Sequence, residues 1–560
     1  MSKNIFRHGS QVIAMAILLL CRTVPAFSAE RPDAGTTIGG LREQRLSLME
    51  KTVPGIEVDS VQQTPTSASS GSKIMVNGIR ITGQNLYSED QLLPLVNEAV
   101  GKQLTLGELE TLTKRISKFF HDQGYLLANA VIPAQDIKGG VVEITVVVGQ
   151  YGKIDICNHS ELRQGTLTSL LSSLKSGGYI QSESLERALL RLSDTSGVNA
   201  KGTLTPGAVP GTADLIINVS DTAKMSGQFY ADNYGNRFTG QVRAGFTMNI
   251  NNLSGQGDMA IIGGLLTNDA NMNEYNISYL LPTGGQGAKL GVGYSRMHYS
   301  LGGSEFASLD ANGIAEISSI YETFVLRRSR NFNLSGRIGY DSKDLLDRAV
   351  GYVSGKRTGV WTLGLSGDNR DSFGGGGVNS FALTHSRGRL SMESADVQSG
   401  DVTAKTAGNY NKTNLSLYRV QHVTDRLNLQ LFFTGQLANK NLDSSEKISL
   451  GGANGVRAYP QGEASGDEGY VFTGELRWNL PTPRFQLVAF IDSGRVTINK
   501  KNWDTSANTR NLTGSGIGLI WNRPSDYSIR FNYAWKVSSD AATSDTDKEG
   551  RFWLQGVKYF

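Results

Sequence analysis

From about residue 225 to the C-terminus, apolar and polar side chains alternate with a period of two. Val242, Ala244, Phe246, Met248 and Ile250 interleave with Gln241, Arg243, Gly245, Thr247 and Asn249. The pattern returns in 332–340, 427–434 and 528–537. Such a period sends successive side chains to opposite faces of a strand. A soluble sandwich fits it too, but two features favour a membrane. The runs are roughly ten residues long, the length of a tilted strand crossing a bilayer. Their polar face is rich in Arg, Asn and Gln, which suits a wet lumen. Residues 225–560 are 336 positions, so sixteen strands would take about 21 residues each with their connections. Fourteen or eighteen strands fit the same count.

Upstream the period changes. Ile74, Val76, Ile79 and Ile81 predict a strand. Ser88-x-x-Gln91 opens a helix carrying Leu92, Leu95, Val96 and Ala99. Thr105-x-x-Glu108 is a capping box opening a second helix, with Leu109, Leu112, Ile116 and Phe119 on one face. Residues 126–132 and 141–148 read as strands. The same β-α-α-β-β order recurs in 151–221, at a period of about 70–78 residues. Before the first copy, Gly39 to Met49 predicts a short helix with a thin apolar stripe (Leu41, Leu48), and 62–72 reads as a Thr/Ser/Pro linker. The predicted division is 1–28, 29–72, 73–150, 151–221 and 222–560.

Composition narrows the class. Lys3, Arg7 and His8 precede an apolar run from Val12 to Cys21 and small residues at Ala26-Phe27-Ser28, which predicts a secretory signal cut after Ser28 or Ala29. The run is too short to span a bilayer, and no later apolar run of eighteen residues exists. One cysteine, Cys157, follows the signal, so no internal disulfide is expected. The 66 glycines, 20 tyrosines and 20 phenylalanines against 13 prolines suit a transmembrane β-barrel. A net charge of +4 over 560 residues gives no reason to expect a nucleic-acid partner.

Catalytic chemistry finds little support. The six histidines form no metal-binding spacing and no G-x-S-x-G motif occurs, so no metal, cofactor or catalytic residue is expected. Ser295 and His298, three apart on a strand, fall on opposite faces. Gly374 to Gly377 lacks the Lys-Ser/Thr of a phosphate loop and reads as a turn. Asp232-Asn233-Tyr234-Gly235 to Gly240 reads as a tight turn between the first two barrel strands. The charge that stands out is Arg457, in the glycine-rich segment Gly451 to Gly462 between two predicted spanning strands. An arginine in a pore loop needs a partner. Asp492, in Phe490-Ile491-Asp492-Ser493-Gly494, is the natural candidate.

Together these features resemble the two-partner secretion outer-membrane transporters. Gly124-Tyr125 and Ile132-Pro133-Ala134-Gln135-Asp136 are similar to that family's first POTRA domain. The 151–221 copy resembles its second. Val456-Arg457-Ala458-Tyr459 resembles the loop-six motif, with alanine where glycine is usual, and Phe490-x-Asp492-x-Gly494 the strand motif that receives it. The resemblance implies two periplasmic POTRA domains, a 16-stranded antiparallel barrel in the outer membrane and a leader helix plugging the lumen. It implies that Arg457, with Val456 and Tyr459, anchors an inward-folded loop six to Asp492 and Gly494. Gly124, Tyr125, Pro133, Gln135 and Asp136 would mark the partner-binding region, and Phe560 the C-terminal assembly signal. The implied partners are a large secreted exoprotein, outer-membrane lipids with lipopolysaccharide, and the barrel assembly machinery, around a monomer.

Overall fold

The computed structural model describes residues 32–42, 56–58 and 73–560 except 285, 304, 305 and 483. The expected signal segment and the remaining leader and linker residues lie outside the described residues. The leader helix, α1 (Ala34–Arg42), begins five residues before the sequence expectation. Asp33 is the reason. Its carboxylate accepts the Thr36 N–H at 2.7 Å, and its own N–H donates to Thr36 Oγ1 at 3.0 Å, a reciprocal cap that sets the first turn. Ala34 and Ile38 are buried, whereas the side chain of Leu41 and all of Leu48 lie outside the described residues. Downstream, Ile56–Val58 forms a short strand.

In the first module, Gly78–Thr82 runs parallel to Val141–Val147, and Asn129–Val131 adds antiparallel on the other side. Helix α2 (Leu106–Asp122) packs Leu109, Leu112, Ile116 and Phe120 onto that sheet. Thr105 and Glu108 cap it as expected. The helix expected from Ser88 is one α-turn, Glu89–Leu92, followed by 3₁₀ turns, because Pro94 removes a backbone donor. In the second module, α3 (Gln164–Leu170) and α4 (Ser182–Ser193) cover a sheet ordered Ile56–Val58, Val198–Pro206, Thr212–Asp221, Gln150–His159. The leader's strand thus lies parallel along the outer edge of this sheet, Glu57 opposite Thr203.

Sixteen antiparallel strands then close into a barrel: β1 (Met225–Asp232), β2 (Arg243–Asn251), β3 (Met259–Thr267), β4 (Met272–Pro282), β5 (Lys289–Ser300), β6 (Asn312–Arg328), β7 (Phe332–Ala349), β8 (Tyr352–Asp371), β9 (Gly377–Met392), β10 (Gly408–His422), β11 (Leu427–Ala438), β12 (Glu468–Asn479), β13 (Phe485–Thr497), β14 (Thr509–Arg523), β15 (Tyr527–Lys536) and β16 (Gly550–Tyr559). Fourteen and eighteen strands are excluded. Alternation sends Phe246, Ile277, Ile338, Trp361 and Ile517 outward, where they are exposed. The run Phe552-Trp553-Leu554 fits as well: its flanks face out, while Trp553 turns inward and is buried. Phe560 continues the seam through reciprocal backbone bonds with Gly227, its ring 5.2 Å from Phe229.

The second module is fixed to the near end of the barrel. Arg328, at the end of β6, makes a bidentate pair with Asp194 at the end of α4, at 2.6 and 2.9 Å. Arg330 pairs with Glu186. The β2–β3 turn meets Arg163 through a backbone bond. Asp258 holds that turn: burial pushes its pKa up, but bonds from Tyr279 and Ser254 overcome this and hold it below the usual range.

Helix α1 lies inside the barrel. Ala34 and Ile38 pack on the inward residues Met297, Ala315, Ile317 and Leu345. The Ala34 N–H donates to Asp347 Oδ1 at 2.7 Å, and Ser444 Oγ donates to Asp33 at 2.6 Å. Gly35 permits this seat, since a Cβ there would lie 2.4 Å from Ser444 Oγ. Ile38→Asp places an unpaired charge in that contact, at a cost of about 3–5 kcal/mol. It is expected to raise the single-channel conductance of the purified protein in planar bilayers; unchanged conductance contradicts a helix that blocks the lumen.

Candidate functional site

The connection between β11 and β12, residues 439–467, folds back into the barrel as a hairpin. Its stem pairs Ile448–Ser449 with Ser465–Gly466. Its tip turns at 450–464, where the Val456 N–H donates to Leu450 O at 2.7 Å. The tip presents Arg457 to the wall at β12, β13, β14 and β16. On β13, inward Asp492 accepts Arg457 Nε at 2.8 Å through Oδ2 and its terminal nitrogen at 2.9 Å through Oδ1. Asp492 Oδ2 also accepts the Arg457 backbone N–H at 3.1 Å. The pairing expected from sequence is therefore present, and the fork geometry uses both carboxylate oxygens.

Glu475 is a second partner that the sequence reading missed. It lies on β12 opposite Phe490 and accepts Arg457 at 3.0 Å. It also accepts from Arg477 at 2.6 Å and Arg530 at 2.9 Å. Register supplies what the sequence lacked: Thr473 and Glu475 share the inward face of β12, opposite Asp492 and Phe490. The Phe490 ring lies beneath the guanidinium at 3.3 Å, a cation–π contact. Thr473 Oγ1 donates to Asp492 Oδ1, and Trp553 Nε1 donates to Arg457 O at 2.7 Å.

The surroundings are dry, not the hydrated lumen expected. Arg457 and Asp492 are 0 % exposed and Glu475 is 2 %. Loop six fills its own section of the lumen with Leu450, Val456, Ala458 and Tyr459 against Val471, Val496 and Leu512. In such a setting each charge depends on its partner, because removing one leaves the other buried alone. Two wall glycines allow the approach. A Cβ on Gly494 would lie 2.9 Å from Leu450 Cδ2, and one on Gly514 2.5 Å from the Ala458 methyl. The alanine at 458, where the resembling family has glycine, is accommodated because Gly514 has no side chain.

Tyr459 reaches the connection between β15 and β16. Its hydroxyl bonds Ser538 Oγ at 2.9 Å and Asp540 O at 2.8 Å. Glu463, also in loop six, accepts N–H groups from Thr543 and Ser544 and pairs with Arg510. The 232–240 segment does more than turn. Asp232 pairs with Arg243, Asn233 bonds Phe552 O and the Leu554 N–H across the barrel seam, and Tyr234 packs edge-on to Trp553 at 5.8 Å.

The module residues lie elsewhere. Gly124 (φ +89°) ends α2, and buried Tyr125 forms the joint between the modules, its hydroxyl accepting Gln181 Nε2 at 3.1 Å. Gln135 completes the sheet by bonding the Glu143 backbone N–H and carbonyl. Pro133 and Asp136 flank it, Asp136 exposed. None of these five touches Arg457. Among the described residues no cluster of metal-binding side chains occurs.

Comparison with known proteins decides the family. The model of the haemolysin secretion/activation proteins ShlB/FhaC/HecB matches residues 211–520, more than half of the chain. The chain belongs to that family. A ShlB-type POTRA model matches residues 74–149. The heme/hemopexin transporter protein HuxB of Haemophilus influenzae is 29 % identical over 99 % of this chain and all of its own. The outer membrane transporter CdiB of Dickeya dadantii is 22 % identical over 90 % of each. Among solved structures, CdiB from Escherichia coli superposes with a TM-score of 0.70 at 18 % identity, covering 100 % of this chain and 99 % of its own. The protein is an outer-membrane transporter of two-partner secretion, and its POTRA modules face the periplasm.

The Ala458–Gly514 contact gives a rescue test. Gly514→Ala is expected to free loop six and reduce secretion, and adding Ala458→Gly is expected to restore much of it. Equal defects in the single and double variants would contradict a lock held by close approach.

Proposed function

We propose that this transporter takes an unfolded exoprotein by strand addition at the second POTRA sheet and passes it through the barrel once α1 leaves. The observation that carries the reading is the leader strand Ile56–Val58, parallel along Val198–Pro206. That edge accepts extended backbone, and main-chain hydrogen bonds read shape more than sequence. Fourteen residue steps separate Arg42 from Ile56, a reach of at most about 50 Å. A cargo strand that displaces Ile56–Val58 loosens the tether of the helix in the lumen. Periplasmic export has no ATP to draw on, so net direction comes from folding outside the cell. The reading gives the protein no catalytic step.

The cargo we favour is a haem-related exoprotein, because the full-length likeness to HuxB exceeds that to CdiB. An assembly factor that inserts other barrels is the alternative. BamA from Haemophilus ducreyi shares the fold at a TM-score of 0.50 over 87 % of this chain. The lumen helix and its edge strand favour translocation, since an inserted barrel need not traverse the pore.

Deleting the gene is expected to strand the partner exoprotein in the periplasm; continued secretion contradicts translocation. Glu57→Pro is expected to weaken the leader strand and tighten binding of an extended exoprotein fragment by about tenfold, by raising the fraction of open edge. Unchanged affinity contradicts docking at Val198–Pro206.

A further inference from the structure

The outer wall of the barrel carries a charge pattern that secretion does not use. On β9 the outward positions read, toward the cell exterior, Phe381, Leu383, His385, Arg387 and Arg389, with Ser386 and Gly388 buried between the last three and Leu390 buried just beyond. Apolar residues thus give way to cations within about 20 Å of strand. Register fixes the height of the change. Leu383 lies opposite Leu365, and Arg387 lies opposite Trp361, which is 59 % exposed. Trp361 packs 5.1 Å from Tyr340. Exposed aromatic rings at the edge of an apolar band mark the boundary between hydrocarbon and headgroups. Arg387 is therefore level with that boundary, and Arg389 one step beyond it, in the polar layer of the outer leaflet.

Two other outward cations of the barrel, Arg296 and Arg357, have carboxylates. Arg296 pairs with Glu316 at 3.4 Å, and Arg357 with Asp344 at 2.5 Å. Arg387 and Arg389 have no ion-pair or hydrogen-bond partner among the described residues. Their β10 neighbours, Asn411 and Asn409, are neutral. We propose that Arg387 and Arg389 bind the phosphate of a phosphorylated glycolipid of the outer leaflet, its acyl chains lying along Leu383, Leu363 and Leu415. A guanidinium offers a phosphate a planar pair of N–H donors, and two such groups side by side match a dianion. The apolar surface continuous with them selects a lipid over free phosphate.

The test uses the purified full-length protein in detergent, titrated with bisphosphorylated lipid A and followed by native mass spectrometry. R387Q/R389Q is expected to bind roughly thirtyfold more weakly, from the two surface cations removed. Arg495→Gln, at a lone exposed arginine on β13, is expected to leave binding intact. Heat-modifiable gel migration confirms that each variant's barrel is folded. Dephosphorylated lipid A is expected to bind wild type as weakly as lipid A binds the double variant, and equimolar inorganic phosphate is expected not to compete. Near-wild-type binding by R387Q/R389Q overturns the proposal. Equal binding of dephosphorylated lipid A, or displacement by inorganic phosphate, overturns it too.

Discussion

A guanidinium sealed from water between two carboxylates and an aromatic ring holds the lumen in its present arrangement. Arg457 carries one charge, and Asp492 and Glu475 carry two, with Arg530 and Arg477 as further counter-charges. Buried charge pairs of this kind add little net stability over apolar packing, but breaking one is costly, typically about 3–5 kcal/mol. The pair therefore acts less as a source of stability than as a position marker. The loop can leave the wall only by separating charges that have no water to receive them.

The remaining contacts extend from that point. Trp553 joins the loop-six tip to β16, Asn233 joins β16 to the segment after β1, and Tyr459 and Glu463 join loop six to the connection between β15 and β16. The turn that leads into the stem of the same loop carries Ser444, which holds Asp33 at the start of α1. The chain leaving α1 reappears as the edge strand on the second POTRA sheet, and that module is clamped to the barrel through Arg328 and Asp194. Loop, helix and POTRA edge are thus linked in one chain of contacts.

Much of this was legible in the sequence because the barrel's period of two is imposed by its two solvents. Lipid outside and water or protein inside force alternation at Phe246, Ile338 and Ile517, and the strand count followed to within two. The Arg457–Asp492 pair was legible because each lay in a motif with few other uses. Glu475 was not seen because an inward glutamate on a barrel strand looks like any lumen residue until register places it beside Phe490. Helix α1 starts earlier than expected because its first turn buries just Ala34 and Ile38 among the described side chains, and its seat depends on Gly35 meeting Ser444 from far along the chain. Gln135 and Tyr125 drew attention as motif residues, yet their contacts are to the sheet and to the joint between modules.

Amide hydrogen exchange of the purified protein tests the lock most directly, comparing wild type with Asp492→Asn. The account predicts that residues 450–464 lose protection in the variant while the barrel strands, including β13 itself, exchange as before. Equal protection of 450–464 in the two proteins would contradict the claim that the Arg457 pair holds loop six against the wall.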